Sequence, residues 1–177
     1  MELKEALRIS ISRQIADLIA TSLINAPEKI KELIEIIGSN DEKRSARATY
    51  VLMRLDEEQP ALLYPHLDRL IELLPGIPYI NSMARVIRVF INAPIKERHE
   101  DVLAGVCFDL MERKLREVSP KVYAMEVLYR LSGKYAEIKT ELAALIEAGM
   151  PTGTAGYKNR GTKILKKLKK RTGNDQC

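Results

Sequence analysis

Residues Ala16–Pro27 read ADLIATSLINAP, and residues Met83–Pro94 read MARVIRVFINAP. The shared ending INAP recurs 67 residues apart, and the apolar positions ahead of it recur with it. Ala16, Ile19, Ala20 and Leu23 match Met83, Val86, Ile87 and Phe90. Two further segments fall on the same register: Ala48, Val51, Leu52, Leu55 and Ala124, Val127, Leu128, Leu131. Each set has the spacing i, i+3, i+4, i+7, which places four side chains on one face of a helix. A breaker follows each set: Pro27, Pro60, Pro94 and Gly133.

A second amphipathic helix is predicted in every unit. The four read Ile30, Leu33, Ile34, Ile37; Leu63, Leu67, Leu70, Ile71, Leu74; Leu103, Val106, Cys107, Leu110; and Ile138, Leu142, Leu145, Ile146. Boundary chemistry agrees with these spans. Gly38 suits a left-handed helix end, Ser39 with Glu42 forms an S-x-x-E capping box, and Ser119-Pro120 reads as an N-cap with proline at the first helical position. PGIP, Pro75–Pro78, is a turn between the second and third units. A helix pair of this size cannot bury its apolar face alone, so the expected architecture is a stack. The expectation is an all-α chain: an α-solenoid of about four antiparallel helix pairs, with units at 10–38, 39–76, 77–117 and 118–150. A basic C-terminal capping helix at 154–170 closes it, and 171–177 is expected to be a mobile tail.

The helix-pair period resembles HEAT-type repeats. From about residue 40 to 170, RATYVLMRL, LLYPHLDRLIELL, VCFDLMERK, VSPKVYAMEVLYRL, EIKTELAALIEAGMP and TAGYKNRGTKILKKL resemble a group of short bacterial HEAT-like proteins. Tyr50 stands where that group has an aromatic-rich stretch with Trp. The resemblance implies an α-solenoid and a binding role, and it supplies no catalytic residues.

Charge is unevenly placed. Between Glu147 and Asp175 there is no acid but eight bases: Lys158, Arg160, Lys163, Lys166, Lys167, Lys169, Lys170 and Arg171. Taking those eight from 29 Lys and Arg, and Asp175 from 24 Asp and Glu, leaves residues 1–147 with 21 bases against 23 acids. The net charge of +5 thus belongs to the C-terminal segment. GYKNRGTK, Gly156–Lys163, lacks the Lys-[Ser/Thr] and the feeding strand of a phosphate loop. Read as a helix with Thr154 as N-cap, the segment puts Tyr157, Ile164, Leu165 and Leu168 on one stripe, with Gly161 allowing close approach. Its lysines then face outward, as a solvated face or as a grip on an anionic partner such as nucleic acid, an acidic protein surface or a lipid headgroup.

Chemistry is sparse elsewhere. His66 and His99 both fall on polar helix faces without a nucleophile motif, no H-E-x-x-H spacing occurs, and Cys107 sits on an apolar stripe. Cys177 is terminal, and the pair Glu57-Glu58 is placed in a turn without a role. Neither a cofactor nor a metal is expected. No apolar run reaches the roughly 18 residues of a membrane span, and Glu2 and Glu5 stand where a signal peptide is basic, so a cytoplasmic protein is expected. A helical-repeat glycosylase for alkylated bases would place Trp, Asp and Arg along a basic groove. This chain has no Trp, although Arg44, Arg47, Arg54, Arg85 and Arg88 could line one. The reading is a non-catalytic protein-binding or scaffolding module, with a nucleic-acid binder as the alternative. By family analogy the second helices carry the partner surface, and Lys29, His66, Arg69, Asp109, Arg113 and Lys139 are its candidate residues.

Overall fold

The computed structural model describes residues 2–8, 11–114 and 118–174, the last four as backbone only. Among these residues there are ten α-helices and no strand. They are α1 Leu3–Ala6, α2 Arg13–Ile24, α3 Ile30–Ile37, α4 Glu42–Glu58, α5 Leu67–Leu73, α6 Ile80–Val89, α7 Glu97–Glu112, α8 Ser119–Leu131, α9 Ala136–Gly149 and α10 Ala155–Asn174. The chain divides into two compact units, Met1–His99 and Glu100–Cys177.

All sixteen apolar positions of the recurring first-helix register are buried, from Ala16 to Leu131. In the first unit, α2, α4 and α6 carry three of these sets and pack in sequence, α2 on α4 and α4 on α6. The shorter second helices lie against this row: α3 packs on α4, as does the 3₁₀ segment Pro60–His66 that leads into α5. In the second unit, α8, α9 and α10 pack on one another. Of the second-helix positions only Val106 and Leu145 are half-buried; the others are buried.

Polar contacts between helices repeat the same period. Ser45 Oγ donates to Ser82 Oγ at 3.0 Å, Arg69 Nε to Glu35 Oε1 at 3.3 Å, and Lys134 Nζ to Glu100 Oε2 at 2.8 Å. The partners stand 37, 34 and 34 residues apart. Each bond therefore joins one repeat to the next, as stacking within each unit requires.

The helix boundaries depart from expectation in four places. The N-cap of α4 is Asp41, whose carboxylate accepts the Arg44 N–H at 3.0 Å; Ser39 Oγ instead donates back to the Ile36 carbonyl at 2.7 Å. An ionised carboxylate is the better acceptor for helix N–H groups, and it lies nearer the first turn. Gly38 ends α3 at φ −78°, in the right-handed region, so no left-handed cap is needed there. α8 already begins at Ser119, with Val118 as a cap residue that makes no side-chain bond. The second helix of the second repeat is broken into Pro60–His66, α5 and Leu74–Gly76, because Pro65 and Pro75 remove two N–H donors.

Candidate binding surfaces

The arginines of the first helices decide what this layer is able to bind. Arg47 donates to the carbonyls of Leu7 at 2.9 Å and Arg8 at 2.6 Å. Arg54 pairs with Asp17 of the preceding repeat and with Glu57 of its own helix. Arg85 donates to the Ala46 carbonyl at 2.9 Å, and its guanidinium lies 5.9 Å from the centre of the Tyr50 ring. Arg88 reaches Glu57 at 2.7 Å and Asp56 at 3.5 Å. Arg44 pairs with Asp41 at 3.2 Å. The five arginines that could have lined a basic groove are thus engaged within the fold, three of them between repeats and Arg47 with the N-terminal segment. Glu57 takes two of them at the end of α4, a role missed when it was placed in a turn. Burial pushes the Asp56 carboxyl above its ordinary range, partly offset by Arg88.

The six candidate residues of the second-helix layer fall three in each unit. In the first, Arg69 on α5 is exposed and bonded to Glu35 on α3, and Lys29 and His66 are half-buried at the ends of 3₁₀ segments. Burial, and then the Lys31 charge, push the His66 imidazole below its ordinary pKa. In the second unit, Asp109 and Arg113 are exposed and paired with each other at 3.4 Å, while Lys139 is half-buried on α9. Arg69, Asp109 and Arg113 therefore meet solvent as members of ion pairs.

α10 is seated by small residues. The Tyr157 ring lies against Gly149 and Gly153, where a Cβ on either glycine would overlap it, and its hydroxyl donates to the Leu145 carbonyl at 3.3 Å. Gly161 is buried; a Cβ there would stand 2.8 Å from Ile146 Cγ2. Ile164 and Leu168 are buried on the same stripe, and Leu165 is half-buried. Thr154 accepts the Tyr157 N–H at 3.3 Å, as an N-cap does.

The outer face of α10 carries the lysines. Arg160 pairs with Glu126 of α8, and the Lys167 ammonium lies 5.3 Å from the Tyr129 ring centre. Lys158, Lys163, Lys166, Lys169 and Lys170 are exposed and have no acidic partner among the described residues. The Arg171 side chain lies outside the described residues, as do Asp175, Gln176 and Cys177; the backbone of α10 runs on to Asn174. Met150, Thr162 and Leu165 floor a shallow depression rimmed by Lys166, Lys169 and Lys170. Beside the start of α10 a cleft of about 390 Å³ is lined by Arg113, Lys114, Lys121 and Thr154, together with Glu112. Lys121 donates to the Met111 carbonyl at 2.6 Å there.

Groups suited to catalysis are dispersed. His99, expected on an exposed face, keeps only 12% of its side-chain surface and lies 3.3 Å from Asp68, which also takes Lys96 at 2.7 Å. Lys96 first, and then Arg98, hold the Asp68 carboxyl below its usual range. Cys107 is fully buried, and desolvation pushes its thiol far up, so it is an inert packing group. No group of His, Cys, Asp and Glu among the described residues is arranged to hold a metal ion. No described helix is long and apolar enough to cross a membrane.

No curated protein and no solved structure matches the chain. The profile of the HEAT repeat domain matches residues 3–168, nearly the whole length. With its recurring helix pairs and buried register, the chain is an all-α protein of the α-solenoid class and belongs to the HEAT repeat domain family.

Proposed function

We propose that the chain is a non-catalytic HEAT-repeat module that binds and positions a protein partner. One observation carries this reading. Arg54, Arg85 and Arg88 of the first-helix layer are bonded to neighbouring repeats and Arg47 to the N-terminal segment, whereas the lysines of α10 stand exposed without acids. A groove that reads phosphate needs its cations free. Here a cluster of free cations lies on one helix beside an apolar depression, which suits an acidic protein surface. The second-helix residues, Lys29, His66 and Arg69 in the first unit and Asp109, Arg113 and Lys139 in the second, are additional partner-facing positions.

The same α10 lysines favour a second reading, nucleic-acid binding, and a salt titration separates the two. Labelled duplex and single-stranded DNA are titrated at about 50 and about 200 mM salt, because counterion release makes phosphate binding fall steeply over that range. The protein-binding reading expects no DNA complex at the higher salt. A complex that survives there, and disappears when Lys163, Lys166, Lys167, Lys169, Lys170 and Arg171 are neutralised, replaces it with the nucleic-acid reading. Excision of a methylated purine would add a glycosylase activity. For the protein partner, photo-crosslinkers placed at Arg69 and Arg113 should capture one species in the native cell, and crosslinkers at Lys43 should not.

A further inference from the structure

α10 continues the first-helix register: Gly161, Ile164, Leu165 and Leu168 stand 37 residues after Ala124, Val127, Leu128 and Leu131. It is therefore the first helix of a further repeat. At three junctions between successive first helices, the earlier helix presents an acid and the later one an arginine: Asp17 to Arg54, Asp56 and Glu57 to Arg88, and Glu126 to Arg160. Carried along the register, the positions of Asp56, Glu57 and Glu126 become Lys169, Lys170 and Lys163 on α10, and that of Asp17 becomes Thr162. The flank that accepts the next repeat has thus exchanged its acids for lysines.

Burial marks the same flank. Leu165 occupies the position of Leu52, Ile87 and Leu128, which are fully buried, yet it remains half-exposed. Thr162 occupies the position of Thr49, Ala84 and Met125, which are buried, and of Asp17, which is half-buried, and it is exposed. These two residues, with Met150, floor the depression that Lys166, Lys169 and Lys170 rim.

We propose that this flank of α10 docks an acidic amphipathic helix of a partner protein, seated as the next first helix would be but with the charges of the junction inverted. Apolar side chains of that helix cover Leu165 and Met150, and its carboxylates meet Lys163, Lys169 and Lys170. A helix of this chain's own type, which offers arginine to the preceding repeat, is repelled there.

The proposal rests on the protein-binding reading and is tested apart from it. The probe is a labelled helical peptide of about 20 residues with Leu at i, i+3, i+4, i+7 and Glu on both flanks, set against a version with Lys in place of Glu. Wild type should bind the acidic peptide and reject the basic one. Lys163→Glu/Lys169→Glu/Lys170→Glu should weaken the acidic peptide by at least about tenfold and admit the basic one. Leu165→Ser should weaken the acidic peptide without changing the salt dependence. Unchanged circular dichroism establishes that the variants fold. Failure of the acidic peptide to bind, or equal binding to wild type and triple variant, overturns the proposal. So does tighter binding to duplex DNA or phosphatidylserine vesicles that Leu165→Ser leaves unaltered. If the crosslinkers at Arg69 and Arg113 still capture a partner in any of these cases, the module reading stands and only the α10 assignment falls.

Discussion

The junctions between first helices and the outer flank of α10 are built on one register and carry opposite charge. Where Asp56 and Glu57 receive Arg88, and Glu126 receives Arg160, the charges close inside the fold. On α10, Lys163, Lys169 and Lys170 occupy those positions and stay open. The apolar pattern is common to both regions, so it determines stacking and says little about what the surface meets. Sign and satisfaction of charge separate the two.

The largest test of this contrast acts on the shared apolar pattern. Phe90→Ala empties a fully buried first-helix position in the unit Met1–His99 and should cost about 3–5 kcal/mol, read from urea denaturation. Gly161→Val should act on the seat of α10 alone. The branched side chain meets Ile146, costs about 1–3 kcal/mol, and should raise amide hydrogen exchange in α10 with little change in α2–α4. A double-mutant cycle of Glu126→Gln and Arg160→Gln should give a coupling of about 0.2–1 kcal/mol that fades with salt, since Arg160 keeps 43% of its side-chain surface. A coupling near zero would remove charge from the account of that junction.

The smallest effect is a change of slope with pH. The Lys134 ammonium and the Tyr135 hydroxyl, in that order, hold Glu100 below its ordinary carboxylate range. A lowered folded-state pKa stabilises above the unfolded value and is lost as pH falls through the folded one. Glu100→Gln should therefore reduce stability near neutrality and flatten the acid limb of the stability curve, measured by thermal melts from pH 7 downward. Asp56 has the opposite sign. Its raised pKa opposes folding above that value, and the penalty is relieved as pH falls through it.

The sequence carried the packing more completely than the polar contacts, for a physical reason. Burial of Ala48, Val51, Leu52 and Leu55 follows from a local period of 3.6 residues, which is visible without knowing any partner. The bond from Arg54 to Asp17, or from Arg85 to the Ala46 carbonyl, joins residues 37 and 39 positions apart across a variable loop, and long side chains blur the register further. The partners of these arginines were for that reason not readable from spacing, and Glu57 was passed over. At Ser39 and Asp41 two capping residues compete within three positions, and spacing alone favoured the wrong one. On α10 the buried stripe and the Thr154 cap were both readable, because no distant partner is needed to define them. The glycine seat under Tyr157 was not, since Gly149 and Gly153 look like ordinary turn residues until the ring is placed.

The bonds that join Arg47 to Arg8, Ser45 to Ser82 and Lys134 to Glu100 have a kinetic consequence, because none of them spans more than 40 residues. Only short loops must close for native contacts to form, so chain topology places each unit among fast-folding proteins. Unfolding should proceed as a gradient that erodes each unit from its edges inward. A duplicated repeat inserted between α3 and α4 would then lengthen the first unit without asking any remote segment to readjust.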